Sequence, residues 1–183
     1  MLRIFRINFF FFLGVLRPVL DICDDLNMKL IIGIVLIIAT TAYGYQNVKG
    51  GDLEPCSTTG MALTGFTRNS KCVDRNDDAG SHHVCIDMSS TSGGNFCTVT
   101  GQPNWCSESM VCNNGRGMCK VLNWCVCEWA FSSYIQKAGG CDKIAKIHCE
   151  ATNMMALKHY EEQAGHSSDV KLALECLKQK CAV

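Results

Sequence analysis

The chain has 183 residues, of which 14 are cysteine, and its 17 Lys plus Arg balance 17 Asp plus Glu. That balance, with no basic run interleaved with aromatics, excludes a nucleic-acid footprint, and no basic patch marks a membrane surface. The length admits one domain, or one domain with a small appendage.

Two apolar runs come first. Phe9 to Leu16 follows Arg3 and Arg6 and stops at Arg17-Pro18. Leu30 to Ala39 follows Met28-Lys29 and leads to Ala42-Tyr43-Gly44. The second has the parts of a signal peptide: a basic residue, a short apolar stretch and a small-x-small exit, which places cleavage before Tyr45. Neither run reaches the roughly 20 apolar residues of a spanning helix, so no stable membrane span is expected. Residues 1–27 read as an upstream extension with Met28 as the start. The alternative is a membrane-anchored leader beginning at Met1, against which Arg17, Asp21, Asp24 and Asp25 split the two runs. Residues 28–44 are then the signal peptide and 45–183 the mature domain.

Every cysteine but Cys23 lies between Cys56 and Cys181, about 9% of the residues from Tyr45 on, which is the range of disulfide scaffolds. Reducing compartments do not keep such a load oxidised, so the domain is expected to be secreted and extracellular. The candidates for bridging are Cys56, Cys72, Cys85, Cys97, Cys106, Cys112, Cys119, Cys125, Cys127, Cys141, Cys149, Cys176 and Cys181. Their number is odd, so one is unpaired in a monomer or joins two chains into a disulfide-linked homodimer.

From Tyr45 to Gly80 the breakers Gly50-Gly51, Pro55 and Asn76-Asp77-Asp78 predict loops around short strands. His83 to Met88 partly alternates and predicts a strand. Ser89 to Gly94 is a flexible connection. Gly93 to Lys120 is dense in turn residues and cysteine, with a tight turn at Asn113-Asn114-Gly115. Glu128 to Lys137 predicts a helix stopped by Gly139-Gly140. Ile144 to Cys149 reads as a short strand. Thr152 or Asn153 caps a helix through Met154, Met155, Leu157 and Tyr160. Ser167 or Ser168 caps the last helix, whose apolar face is Val170, Ala173, Leu174, Leu177 and Cys181. Cys176 and Cys181 face different ways on it and are not expected to pair together. No repeat of solenoid length occurs. The expected fold is a small disulfide-rich α+β domain, loop- and strand-rich in its amino half and helical in its carboxyl half.

Several residue groups bear on chemistry. Cys125-Val126-Cys127 on a strand would point both sulfurs to one face, which suits a metal or thiol–disulfide exchange. The other reading is that each pairs with a distant cysteine. His82-His83-Val84-Cys85 carries His82 and Cys85, which suit zinc ligation or Cys–His catalysis. Against that, His82 can simply hydrogen-bond a backbone carbonyl and lock the turn at Gly80-Ser81. Arg68 can clamp an anion or pair with Asp74, Asp77 or Asp78. The Asp74–Asp78 run lacks the Gly and closing Glu of a calcium loop. Trp124 and Trp129 are expected in the core. No Cys-x-x-Cys motif and no Asn-x-Ser/Thr sequon occur.

The order of segments carries a resemblance. It runs Asn47-Val48-Lys49-Gly50 to Leu53-Glu54-Pro55-Cys56, then Thr64-Gly65-Phe66-Thr67-Arg68 with Cys72. Asp78-Ala79-Gly80-Ser81-His82-His83-Val84-Cys85 follows, then Trp124-Cys125-Val126-Cys127 with Trp129, then Glu150-Ala151-Thr152. Over about Asn47 to Leu157 this resembles the family known as domain of unknown function 2237, which has bacterial members. The family carries no activity to transfer. The resemblance implies an inherited set of Cys56, Cys72, Cys85, Cys125 and Cys127. It implies an added set of Cys97, Cys106, Cys112, Cys119, Cys141, Cys149, Cys176 and Cys181, forming four bridges suited to life outside the cell. Asn69-Ser70 stands where the family has Asp-Gly, and the stretch from Cys97 to Asn123 is reworked. If that Asp is catalytic in relatives, this chain is a non-catalytic derivative.

The functional expectation is a secreted, disulfide-stabilised, non-enzymatic binding or defence-type module with an extracellular ligand or partner. The alternative is a thiol- or metal-dependent enzyme, or a metal-binding protein, using His82, Cys85, Cys125 and Cys127. No cofactor is expected on the first reading; zinc belongs to the second.

Overall fold

β-branched Val84 and Ile86 alternate with Cys85 and Asp87 along strand β1 (Val84–Asp87), and Asn123–Val126 forms its antiparallel partner. A computed structural model describes residues 45–89 and 91–183 of the chain. The two apolar runs and the cleavage point after Gly44 lie outside the described residues. In the register, Val84 faces Val126, Cys85 faces Cys125 and Ile86 faces Trp124. Period-two alternation turns Val84, Ile86, Trp124 and Val126 to the main core and the two cysteines to the opposite face.

That opposite face holds four of the five motif cysteines. Cys85 is bridged to Cys56 and Cys125 to Cys72, and the four sulfurs form a small buried cluster with Ala151. The strand edges find side-chain acceptors there. Cys125 N–H donates to Thr64 Oγ1 at 2.9 Å, and Cys85 N–H donates to Thr152 Oγ1 at 3.1 Å. Two motif threonines thus satisfy backbone groups that a further strand would otherwise pair.

A second antiparallel hairpin joins β2 (Ser109–Val111) to β3 (Met118–Lys120) through the turn at Asn113-Asn114-Gly115. Asn123–Val126, the partner of β1, is strand β4. Residues 45–80 form loops tied by isolated bridges, Gln46 to Asp52, Asn47 to Asn153 and Ala62 to Cys112. Ile144 to Cys149 is not a strand. Only Ile147 bridges, to Ile86, before a 3-10 turn over Cys149–Ala151.

Four helices follow the capping chemistry of the sequence. Helix α1 (Phe96–Thr100), which the turn-rich composition concealed, is capped by Asn95 and stopped by Gly101 in the left-handed region. Helix α2 (Glu128–Ala138) stops at Gly139. Helix α3 (Met154–Gln163) starts at Asn153, whose side chain accepts from Met155 N–H and donates to Cys72 O. Helix α4 (Ser168–Cys181) starts at Ser167 and buries Val170, Ala173, Cys176, Leu177 and Cys181. Leu174 packs at the margin of the same cluster. Helix α4 lies against α2 and α3, around a core of Phe131, Tyr134, Ile135 and Tyr160.

The fold is α+β, and six disulfides hold the described residues. Besides the two on that face, Cys97 bonds Cys106, Cys112 bonds Cys119, Cys141 bonds Cys176 and Cys149 bonds Cys181. The eight cysteines outside the motif segments thus pair among themselves, and Cys176 and Cys181 anchor α4 to two different loops. Cys127 is the free cysteine among the described residues. Trp124 is buried, whereas Trp129 is 38% exposed on α2 and does not belong to the core. Among the described residues no helix is long and apolar enough to cross a membrane.

Candidate functional site

Three of the motif segments meet at one cleft. The loop after Thr64 brings Gly65, Phe66 and Arg68; the turn before β1 brings His82; β4 brings Trp124 and Cys125. Together they line an opening of about 270 Å³. Arg68 also borders a neighbouring, mainly apolar hollow with Leu63, Met110 and Val111. A third, smaller cavity of about 70 Å³ runs from His82 and Trp124 to Gln102, Trp105 and Cys127.

Local geometry explains the motif residues. Gly65 sits at φ +90, where a Cβ would meet the Lys71 carbonyl oxygen at 2.5 Å, so only glycine fits. The turn places Phe66 against His82, with ring centroids 6.1 Å apart and nearly parallel. Arg68 lies over the Trp124 ring, 4.9 Å from its centroid. Of the two readings of Arg68, pairing with Asp74, Asp77 or Asp78 does not occur. Asp77 is held by Arg75, Asp78 by His82 and Asp74 by His83. No hydrogen bond engages the Arg68 guanidinium among the described residues; only its backbone N–H donates, to Gly65 O. Asn69 Oδ1 accepts from Lys71 N–H, a turn role that the family's Asp would serve equally. Ser70 takes the family's Gly position at φ 70 and its hydroxyl accepts from Asn113 on the β2–β3 turn.

His82 is locked by a carboxylate rather than by a backbone carbonyl. The Asp78 side chain, fully buried, accepts from Gly80 N–H at 3.0 Å, from His82 N–H at 2.9 Å and from His82 Nδ1 at 2.7 Å. An ionised carboxylate only accepts, so the Nδ1 proton points at it and Nε2 is left without a hydrogen-bond partner among the described residues. The ring lies over Gly80, where a Cβ would come within 2.4 Å of its Cε1. Burial pushes the Asp78 carboxyl up, but the His82 amide and ring and the Gly80 amide outweigh it and hold the pKa below the usual range. A group so lowered adds stability above its unfolded pKa, about 3.9, and loses it as pH falls through the folded value. Asp78→Asn is therefore expected to cost about 2 kcal/mol near neutral pH. The gap to the parent protein should close below about pH 4. Denaturant unfolding of both proteins across pH 2.5–7 measures this, and a gap that does not narrow in acid would contradict it.

Of the sequence-predicted site residues, Arg68, His82 and Cys125 meet at the cleft. Cys127 lies beyond it in the smaller cavity, and Cys85 is buried away from both. Cys85 and Cys125 are bridged, and a disulfide sulfur is neither a thiolate nucleophile nor a strong metal ligand. Cys127 sits half-buried at the start of α2. Burial raises its pKa, and the Ala130 and Trp129 amides at the first turn pull the other way without cancelling it. We expect a single thiol in the domain from Tyr45 on, which iodoacetamide labels at pH 7.5 about tenfold more slowly than in the unfolded protein. Labelling as fast as in denaturant, followed by mass spectrometry, would show an exposed, activated sulfur instead.

A second group went unnoticed in the sequence. His83, at 1% exposure, places Nδ1 at 2.8 Å from Glu128 Oε2 and Nε2 at 3.1 Å from Asp74 Oδ1. The other Glu128 oxygen, Oε1, lies 2.7 Å from His159 Nδ1. The Glu128 hydrogen bond raises the His159 pKa against burial, which lowers it. These residues come from a loop, β1's approach, α2 and α3, so no spacing in the sequence joins them. In the sequence Glu128 is an ordinary acidic opening of a helix, a position the helix dipole favours.

The family described as an uncharacterized protein conserved in bacteria (DUF2237) matches residues 46–166. No curated protein matches the chain.

Proposed function

The chain belongs to the DUF2237 family, and from that premise we propose a secreted, disulfide-stabilised binding protein that takes a small organic anion in the cleft of Phe66, Arg68, His82 and Trp124. The observation that carries the reading is the convergence of the family's motif segments on a guanidinium held by stacking, with its hydrogen-bond donors unengaged by the chain. A planar guanidinium matches a carboxylate with two parallel hydrogen bonds. His82 Nε2, left as an acceptor by the Nδ1–Asp78 bond, lines the same opening and suits a hydroxyl or N–H group carried by the same ligand. Phe66 and Trp124 give aromatic surface, and the hollow of Leu63, Met110 and Val111 beyond Arg68 suits an apolar body attached to the acid group. Binding sites of this kind are concave and largely apolar, with few polar groups that fix orientation.

Secretion rests on the signal-like run ending at Gly44 and on six bridges, a load that oxidising compartments sustain. Expression of the whole chain in a secreting cell, with the mature amino terminus read at Tyr45, tests it. Retention in the cytosol with reduced cysteines would refute it.

Benzoate and decanoate are suitable probes. Titration of the oxidised protein, followed by amide NMR shifts, should move Phe66, Arg68, His82 and Trp124 together at millimolar probe or below. Arg68→Ala should weaken binding about tenfold or more, as a lost charge-assisted hydrogen bond predicts. Equal shifts in the parent, Arg68→Ala and His82→Ala proteins would sink the reading.

A thiol reading draws on one observation: His82 and Cys127 line the same small cavity. Its test is the labelling rate already given, joined to the pH dependence of that rate in His82→Ala. An interchain bridge would have to form through Cys127, and a doubled mass on non-reducing electrophoresis that vanishes in Cys127→Ser would establish it.

A further inference from the structure

The His83, Glu128 and His159 side chains are remote from the demands of the anion cleft, yet they are built with care. Glu128 is fully buried at the start of α2, where a carboxylate is costly unless paired. Its two oxygens each face an imidazole nitrogen, and ligand atoms of the three residues all lie within 4.8 Å of one another. Each ring is held in orientation. Asp74 Oδ1 takes the far nitrogen of His83, and Trp129 stacks on His159 with centroids 6.3 Å apart. The backbone under Glu128 is fixed as well, because Tyr160 Oη donates to Glu128 O at 2.6 Å.

We propose that His83, Glu128 and His159 form a binding site for a divalent transition metal, with Asp74 as the outer carboxylate that orients His83. Two imidazoles and one carboxylate on three different elements leave further positions open, as in catalytic zinc and mononuclear iron(II) sites. Metal-bound histidines generally donate the other ring N–H to a carboxylate, which is the Asp74–His83 arrangement. Charge supports the assignment: one divalent ion balances the Glu128 and Asp74 carboxylates. Zinc is the metal we assign, because it needs no reductant to stay divalent in a protein held by disulfides. The side chain of His159 is 27% exposed and that of Asp74 33%, so an ion can enter from that side.

The test uses the intact, oxidised protein, stripped with chelator and titrated with zinc alone. Calorimetry should show one zinc per chain, and zinc-edge X-ray absorption should show nitrogen and oxygen neighbours with imidazole scattering. His159→Ala, at a partly exposed position, should abolish the stoichiometric site while leaving the disulfides and the circular dichroism unchanged. Asp74→Ala should weaken binding about 10–100-fold. Cys127→Ser should leave zinc binding as it was. The assignment is overturned if zinc does not bind at 100 μM, if sulfur is found among its neighbours, or if His159→Ala binds as the parent does.

Discussion

The C72A/C125A double variant is expected to unfold with about 4 kcal/mol less stability than the parent protein. The Cys72–Cys125 bridge spans 53 residues of chain, and cross-linking a long loop removes more freedom from the unfolded state than cross-linking a short one. It also fastens the loop that carries Phe66 and Arg68 to strand β4, which carries Trp124. The Cys112–Cys119 bridge spans only 7 residues across the β2–β3 hairpin, and C112A/C119A should cost about 2 kcal/mol on the same account. Guanidinium unfolding of the three proteins compares them directly. A hairpin variant that loses as much as C72A/C125A would show that the long bridge stabilises chiefly through native contacts, not through chain entropy. Because both walls of the cleft hang on Cys72–Cys125, the double variant should also lose probe binding at temperatures where it is still folded.

Glu128→Ala should be nearly as damaging, at about 3–5 kcal/mol in metal-free protein. The cost comes less from the attraction that is lost than from what is left behind. His83 is buried against the vacated space with no acceptor on Nδ1, and His159 loses the acceptor of its own Nδ1. Glu128→Gln keeps the shape and one oxygen acceptor and should lose less than the alanine variant. Thermal unfolding in the presence of chelator measures both. If Glu128→Ala were within 1 kcal/mol of the parent, roughly the worth of one neutral hydrogen bond, the buried network would contribute little to the fold.

The comparison with the sequence is instructive in particular places. Helices α2, α3 and α4 were legible because their caps and stops are local: Gly139 ends one, and Asn153 and Ser167 start the others. Helix α1 was hidden because five residues give too little periodicity to stand out from a turn-rich stretch. Ile144–Cys149 has strand-like residues, yet it forms only the single bridge of Ile147 to Ile86, since strand formation needs a partner along its length that composition does not display. Trp129 was misplaced for a related reason. Its type predicts burial, but the face of α2 turned inward is set by Phe131, Tyr134 and Ile135, and Trp129 falls outside it.

The sites divide along the same line. Arg68 and His82 stood out as residues capable of binding because they lie in compact motifs, in which Gly65 meets a backbone need and Gly80 leaves room for the His82 ring. Their meeting across one cleft and the Asp74–His83–Glu128–His159 network join segments far apart in the chain, while the Asp78–His82 contact spans four residues of one turn. By itself the sequence determined the α+β class, the dominance of disulfides and the caps of the long helices. Those properties depend on residue type, count and near-neighbour spacing. Only the tertiary structure decided which sulfurs bond, that Cys127 is the odd one, and which side chains share a cleft or surround Glu128. Such choices depend on distances that packing of the whole chain sets, whether the partners lie 7 residues apart, as Cys112 and Cys119 do, or 53, as Cys72 and Cys125 do.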